Sequence, residues 1–260
     1  MNKYKNEDFL KGQIMDQNRH LFIYGYPTEQ RTIFLKSLEK EYPIKADDVS
    51  PMGIYLEDYG IPKIEITNKE LTPGRLDIIT DEYLSLSIIS KILKQMILQD
   101  NINVEERLRD LLRLINKYNK LNKYPNANNI RELINLLEES KRMYLSFLKT
   151  HAEEGSIENI FDNIPIPFLE ATSTVEKIKK SIDNNSYVGL IINHNKSIIS
   201  SSERAINNLI GGRINSDISV KLASDPNDWE TYLTQNNQFI QAIHDYSYVE
   251  LDDSYKKWRR

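Results

Sequence analysis

The chain contains no cysteine in its 260 residues. Disulfides, cysteine–zinc sites and thiol nucleophiles are therefore excluded, and the absence fits a reducing compartment. A surplus of positive charge is also missing: 34 Lys and Arg stand against 38 Asp and Glu, a formal net charge of −4. Such a balance predicts no general attraction to nucleic acid, and "KKWRR" at the end of the sequence is the only compact basic patch. No apolar run approaches the roughly 18 residues needed to cross a bilayer. The opening "MNKYKNEDFLKGQ" has no signal-peptide core. The expectation is a cytoplasmic protein without membrane association. Internal repeats and low-complexity tracts are absent as well.

Several catalytic chemistries lack their residues. The four histidines (His20, His151, His194, His244) show no metal-ligand spacing, so each is expected at the surface or at a helix end. "HDY" at 244–246 could orient a base, but no G-x-S-x-G nucleophile elbow exists to use it. The E-x-K triplet from Glu139 to Lys141 sits inside a helical pattern, which argues against a metal nuclease. Trp229, Tyr232, Tyr246 and Tyr248 lie beside apolar runs in acidic surroundings, "SDPNDWE" and "ELDDS". Aromatics so placed are more often core than a stacking platform for bases.

What is present is an ordinary globular composition, 40% hydrophobic and 28% charged. The length suits one large domain or a domain with a substantial insertion. Three regions separate. In 1–80, "LFIYG", the helix "RTIFLKSLEKEY" and "MGIYLEDY" read as a parallel strand–helix–strand unit. In 81–150 the apolar residues recur at helical spacing, among them Leu84, Ile88, Ile92, Leu108, Ile115, Ile130 and Leu137. That pattern predicts a packed helical insertion whose stripe is core rather than ligand groove. In 151–260, "HAEEGSIENIFDNIPIPF" reads as a connection, followed by the helices "STVEKIKKSID" and "SSSERAINNLIGGR". Between and after them stand "SYVGLIIN", "DISVKLAS" and "DYSYVELDD" as extended segments. The expected class is α/β, three layers, with a mostly parallel sheet and a helical insertion.

One stretch carries chemistry. After "LFIY" come Gly25, Tyr26, Pro27, Thr28, Glu29, Gln30, Arg31 and Thr32. Laid on the phosphate-binding pattern G-x-x-x-x-G-K-[ST], Gly25 and Thr32 match and Arg31 keeps the charge. Gln30 replaces the second Gly, and a side chain forced to positive φ there costs roughly 1–2 kcal/mol. Pro27 offers no N–H, Glu29 adds negative charge, and Arg31 is a rigid fork in place of a compact ammonium. A working site also needs an acidic pair at the tip of a buried strand, to hold Mg²⁺ and polarise water. The tip of "YVGLIIN" carries Asn193 and His194 instead.

In this order of elements the chain resembles, over roughly residues 19–253, the ATPase core of bacterial AAA+ proteins related to the origin-recognition complex. The resemblance implies a three-layer P-loop fold and assembly with partners through the ATPase face. It implies nucleotide contact through Gly25, Thr28, Gln30, Arg31 and Thr32, a metal role for Thr32, and a polar sensor at Ser224. Asn193 and His194 would hold the metal and water-activating positions, and Arg213 would reach a neighbour's site, although a helix-end charge there is the plainer reading. The second Gly, the Lys and the acidic pair are missing, and the helical lid domain of such proteins is not expected here. The expectation is a degenerate ATPase-fold protein, a weakly nucleotide-binding or non-hydrolysing regulatory or partner subunit. ATP and Mg²⁺ would be held weakly or not at all. Its partner would be another chain or a larger ATPase complex, with nucleic acid contacted only indirectly. Two alternatives stand beside it: a slow genuine ATPase using Arg31 with Glu57 and Asp58, and an interaction protein working through 81–150.

Overall fold

The computed structural model describes residues 3–63, 71–99, 103–119, 124–149, 161–212, 217–225 and 227–251. Five short apolar segments pair into one sheet: β1 (Leu21–Tyr24), β2 (Met52–Tyr55), β3 (Val188–Asn193), β4 (Ile218–Ala223) and β5 (Ser247–Glu250). Their order is β2-β3-β4-β1-β5. Every pairing is parallel. Strands covered on both faces need apolar residues at successive positions, and β4 is buried at all of its residues. The edge strand β5 alternates between half-buried and exposed positions.

Eight helices complete the described chain: α1 (Lys3–Met15), α2 (Thr28–Glu41), α3 (Pro73–Ile97), α4 (Val104–Arg107), α5 (Arg109–Asn119), α6 (Ile130–Lys149), α7 (Ala171–Ser181) and α8 (Ser200–Gly211). Side chains alternate across the sheet. Leu21 and Ile23 pack with Ile14 and Met15 of α1 and with Phe34, Leu35 and Leu38 of α2. Phe22 joins the larger cluster on the other face, with residues of α3, α7 and α8. The division follows from handedness. The β1→β2 connection crosses the sheet in one direction and β2→β3→β4 in the other, so right-handed crossovers put their helices on opposite faces. The result is a three-layer α/β architecture.

The helical stretch is continuous with this core. α3 starts at Pro73, with Thr72 before it and Pro at the first helical position, where no N–H is needed. It is buried almost all round, including Ser85, Ser87 and Ser90. α5 and α6 add Leu111, Ile115, Leu133 and Leu137 to the same apolar cluster. The stripe expected to be core is core. The connection 151–160 and His151 fall outside the described residues, as do Arg213 and the "KKWRR" tail.

Both ends of α2 are fixed to the sheet. At its C-terminal end, the outward edge of β2 is closed: Gly53 N–H donates to Tyr42 O at 2.7 Å and Tyr55 N–H to Glu39 Oε1 at 2.9 Å. A Cβ on Gly53 would lie 3.0 Å from Leu38 O, so glycine permits the close approach. Beneath the sheet, Lys221 is fully buried in β4 and donates to Gln17 O and Arg19 O, both at 2.7 Å. Burial pushes its amine down to about 7.

Glu82 of α3 is another buried ionisable group, accepting from Leu169 N–H at 3.3 Å. Burial pushes its carboxyl from 4.5 up to about 8. The folded chain therefore retains a proton that the unfolded chain releases, and stability falls as pH rises from about 4.5 to about 8. Glu82→Gln should leave stability unchanged near pH 4.5 and raise it at pH 8 by roughly 2–4 kcal/mol. Urea unfolding at both pH values checks this, and equal effects at the two would contradict it.

Candidate functional site

β1 lies between β4 and β5. The connection leaving β1 reaches α2 on one face, while that leaving β3 reaches α8 on the other. In open α/β sheets, the crevice at the carboxyl ends of strands whose connections diverge in this way is the usual place for a ligand. The candidate residues of the first region meet there.

The turn after β1 is short. Gly25 has φ 92°, Tyr26 has φ 58°, and Pro27 precedes the helix with φ −56°. Gly25 suits the left-handed region and Tyr26 is strained in it. Helix begins at Thr28, and Arg31 N–H already donates to Pro27 O at 2.9 Å. Thr28, Glu29, Gln30, Arg31 and Thr32 are thus helical rather than a wide loop around phosphates. The local sequence accounts for this: Glu29 favours the positive end of the helix dipole, and Gln30 supplies no glycine to keep the chain out of helix. Thr28 and Gln30 are exposed, and no side chain caps the helix start.

Arg31 turns inward and is 1% exposed. Its Nε donates to Asn193 Oδ1 at 2.8 Å and its Nη1 to Asp225 Oδ1 at 2.9 Å. Asn193 Nδ2 donates to Thr32 Oγ1 at 2.8 Å, and Thr32 Oγ1 donates to Thr28 O at 2.8 Å. The amide of Asn193 therefore serves both neighbours, accepting from one and donating to the other. This closed network joins the first turns of α2 to the tips of β3 and β4. Ser224 stands next to it but spends its hydroxyl on Asp225 O at 2.9 Å, and its N–H donates to Ile23 O at 3.2 Å.

His194 departs from expectation. It is 1% exposed, not a surface residue. Tyr59 Oη accepts Asn195 N–H at 3.1 Å and lies 3.2 Å from His194 Nδ1. His194 Nε2 faces Asp228 O at 2.9 Å and Glu203 Oε1 at 3.2 Å. Trp229 closes one side, with ring centroids 4.8 Å apart. Glu203 is fully buried, and its Oε2 accepts the N–H groups of Glu230 and Thr231, each at 2.9 Å. His194 is a strut between β3 and the segment after β4, held away from any attacking water.

At this end of the sheet, sequence reasoning missed Asp225 and Glu203. Asp225 was visible only as part of an acidic run, although its place just after Ser224 at the end of β4 was a usable signal. Glu203, three residues into "SSSERAI", has the spacing of an exposed capping carboxylate and gave no hint of burial. Conversely, Glu57 and Asp58 lie beyond the edge strand β2 and are paired elsewhere, with Lys36 at 2.6 Å and Lys141 at 3.2 Å. Among the described residues no group of three or more His, Asp or Glu is arranged to hold a metal ion. A cavity of about 1020 Å³ opens at the opposite end of the sheet, lined in part by Gly212, Asp217 and Asp245, and does not involve these residues.

Two substitutions separate a strut from a base. His194→Ala and Glu203→Ala should each lower stability by roughly 2–4 kcal/mol, because each leaves buried polar partners unpaired. Unfolding in urea reads the loss; an unchanged midpoint for His194→Ala would contradict the strut.

No protein-family model matches the chain, and no curated protein matches it closely enough to count as a relative.

Proposed function

We propose that the chain is a degenerate P-loop, AAA+-like ATPase-fold protein that binds nucleotide weakly and acts as a non-hydrolysing regulatory or partner subunit. The observation that carries this reading is the meeting of Arg31, Thr32 and Asn193 in one hydrogen-bonded network at the switch point of the sheet. Phosphate-loop residues and a strand-tip residue adjoin as a nucleotide site requires, but with an amide where the reaction needs a carboxylate.

Mg²⁺ does not fit these side chains. Thr32 directs its proton to Thr28 O, Asn193 Oδ1 accepts from Arg31, and the guanidinium beside them repels a cation. Hard divalent cations take several oxygen ligands, carboxylates foremost, and Asn193 and Thr32 bring no carboxylate and hold their oxygens in hydrogen bonds. Water activation lacks its group as well, since His194 is committed inside the core. What remains is recognition of an anion. The exposed first turn of α2 presents backbone N–H groups at Thr28, Glu29 and Gln30, and the dipole there favours negative charge. The short Gly25–Pro27 turn cannot wrap a triphosphate, so affinity is low. A slow genuine ATPase is the less favoured reading, because Glu57 and Asp58 are engaged by lysines. An interaction role through 81–150 is less favoured too, because the apolar residues of α3, α5 and α6 are turned into the core.

Calorimetric titration with ATP, with and without Mg²⁺, tests the proposal. A Kd of about 0.1–1 mM is expected, little changed by Mg²⁺, with phosphate release at background. Tight Mg²⁺-dependent binding with steady turnover would overturn it.

A further inference from the structure

Within the Arg31 network the two charges are placed very differently. The Arg31 side chain is 1% exposed and the Asp225 side chain 45%. The Asp225 carboxylate already reaches water, whereas the Arg31 guanidinium does not. The other described group that its guanidinium hydrogen-bonds carries no charge: Asn193 answers Nε with an amide oxygen. A guanidinium has five N–H donors. Only Nε and Nη1 are engaged, and Nη2 makes no hydrogen bond to any described residue. Among the described residues, Asp225 is thus the one counter-ion of a buried cation that keeps a donor to spare.

The backbone around Asp225 supports the same reading. Ser224 N–H is held by Ile23 O at 3.2 Å and Asp228 N–H donates to Asp225 O at 3.0 Å, so the main chain is pinned on both sides. The hydrogen bond to Arg31 at 2.9 Å is the one tie of the Asp225 carboxylate to another described residue. Its release requires a side-chain rotation and no movement of the sheet.

We infer that Asp225 is the residue that sets the ligand affinity of this site: its carboxylate satisfies Arg31 in place of a phosphate oxyanion, and a phosphate-bearing ligand binds by displacing it. The inference rests on the nucleotide-binding reading for the identity of the ligand, but not for the existence of the anion site. Asn193 is what makes the exchange necessary. With an amide at the β3 tip, loss of Asp225 leaves an uncompensated buried charge, which is strongly unfavourable until another anion arrives. Arginine suits such an exchange, because its fork pairs with carboxylate and phosphate alike.

The test compares wild type, Asp225→Asn and the double variant Arg31→Met/Asp225→Asn, titrated with inorganic phosphate and separately with ATP at fixed chloride ionic strength. Asp225→Asn should bind phosphate tighter than wild type by roughly tenfold or more, and the double variant should lose that gain. A gain for phosphate without one for ATP supports the anion site and overturns the nucleotide reading. Measurable ATP binding to wild type with no gain in Asp225→Asn overturns the inference and leaves the nucleotide reading standing. Absence of binding by both ligands to all three proteins overturns both. If Asp225→Asn folds only when phosphate or ATP is present, while the double variant folds without either, the inference is supported. If Asp225→Asn stays unfolded with the anion while the double variant folds, it is overturned.

Discussion

A guanidinium removed from water must be answered by hydrogen bonds and by negative charge, and Arg31 is the point on which this site turns. Its side chain links three pieces of chain that are distant in sequence: the first turns of α2, the tip of β3 at Asn193, and the residue two beyond β4, Asp225. Each link constrains the others. Asn193 can accept from Arg31 only with its amide nitrogen turned to Thr32, and Thr32 can then accept only by giving its own proton to Thr28 O. The polarity of the whole network follows from one buried cation.

The sheet explains why these residues meet. With β4 lying between β3 and β1, the tips of β3 and β4 stand beside the turn that leaves β1. The opposed directions of the crossovers place α2 on one face and α3, α7 and α8 on the other, so the turn at Gly25 opens into the gap between layers. A second, apolar-walled strut built from His194, Glu203, Tyr59 and Trp229 ties the segment after β4 to α8. That strut keeps the main chain near Asp225 in place and leaves its carboxylate as the adjustable part.

The fold was largely legible because its inner strands β3 and β4 are buried on both faces. "VGLIIN" and "ISVKLA" could be recognised from apolar content alone, and the stripes of α3, α5 and α6 from their period. The site was only partly legible. Arg31 and Thr32 could be named because a known spacing singles them out, and Asn193 because it ends a buried apolar strand. That Thr28–Gln30 would be helix depended on a competition between loop and helix that eight residues do not reveal. Glu203 and Lys221 were missed for a common reason: burial of a charge is decided by what lies opposite it in space. In these cases the partners are His194 and backbone N–H groups, or the carbonyls of Gln17 and Arg19. Asp225 was missed because its role depends on Arg31 turning inward, which the sequence of α2 does not specify.

The central claim, that Arg31 and Asp225 form a coupled pair closing an anion site, is tested most directly by a double-mutant cycle on unfolding free energy, with Arg31→Met and Asp225→Asn singly and together in a phosphate-free buffer. The account predicts a coupling energy of roughly 2 kcal/mol or more, with Asp225→Asn the costlier single change because it strands the buried charge. Additive effects, with coupling below about 0.5 kcal/mol, would contradict it.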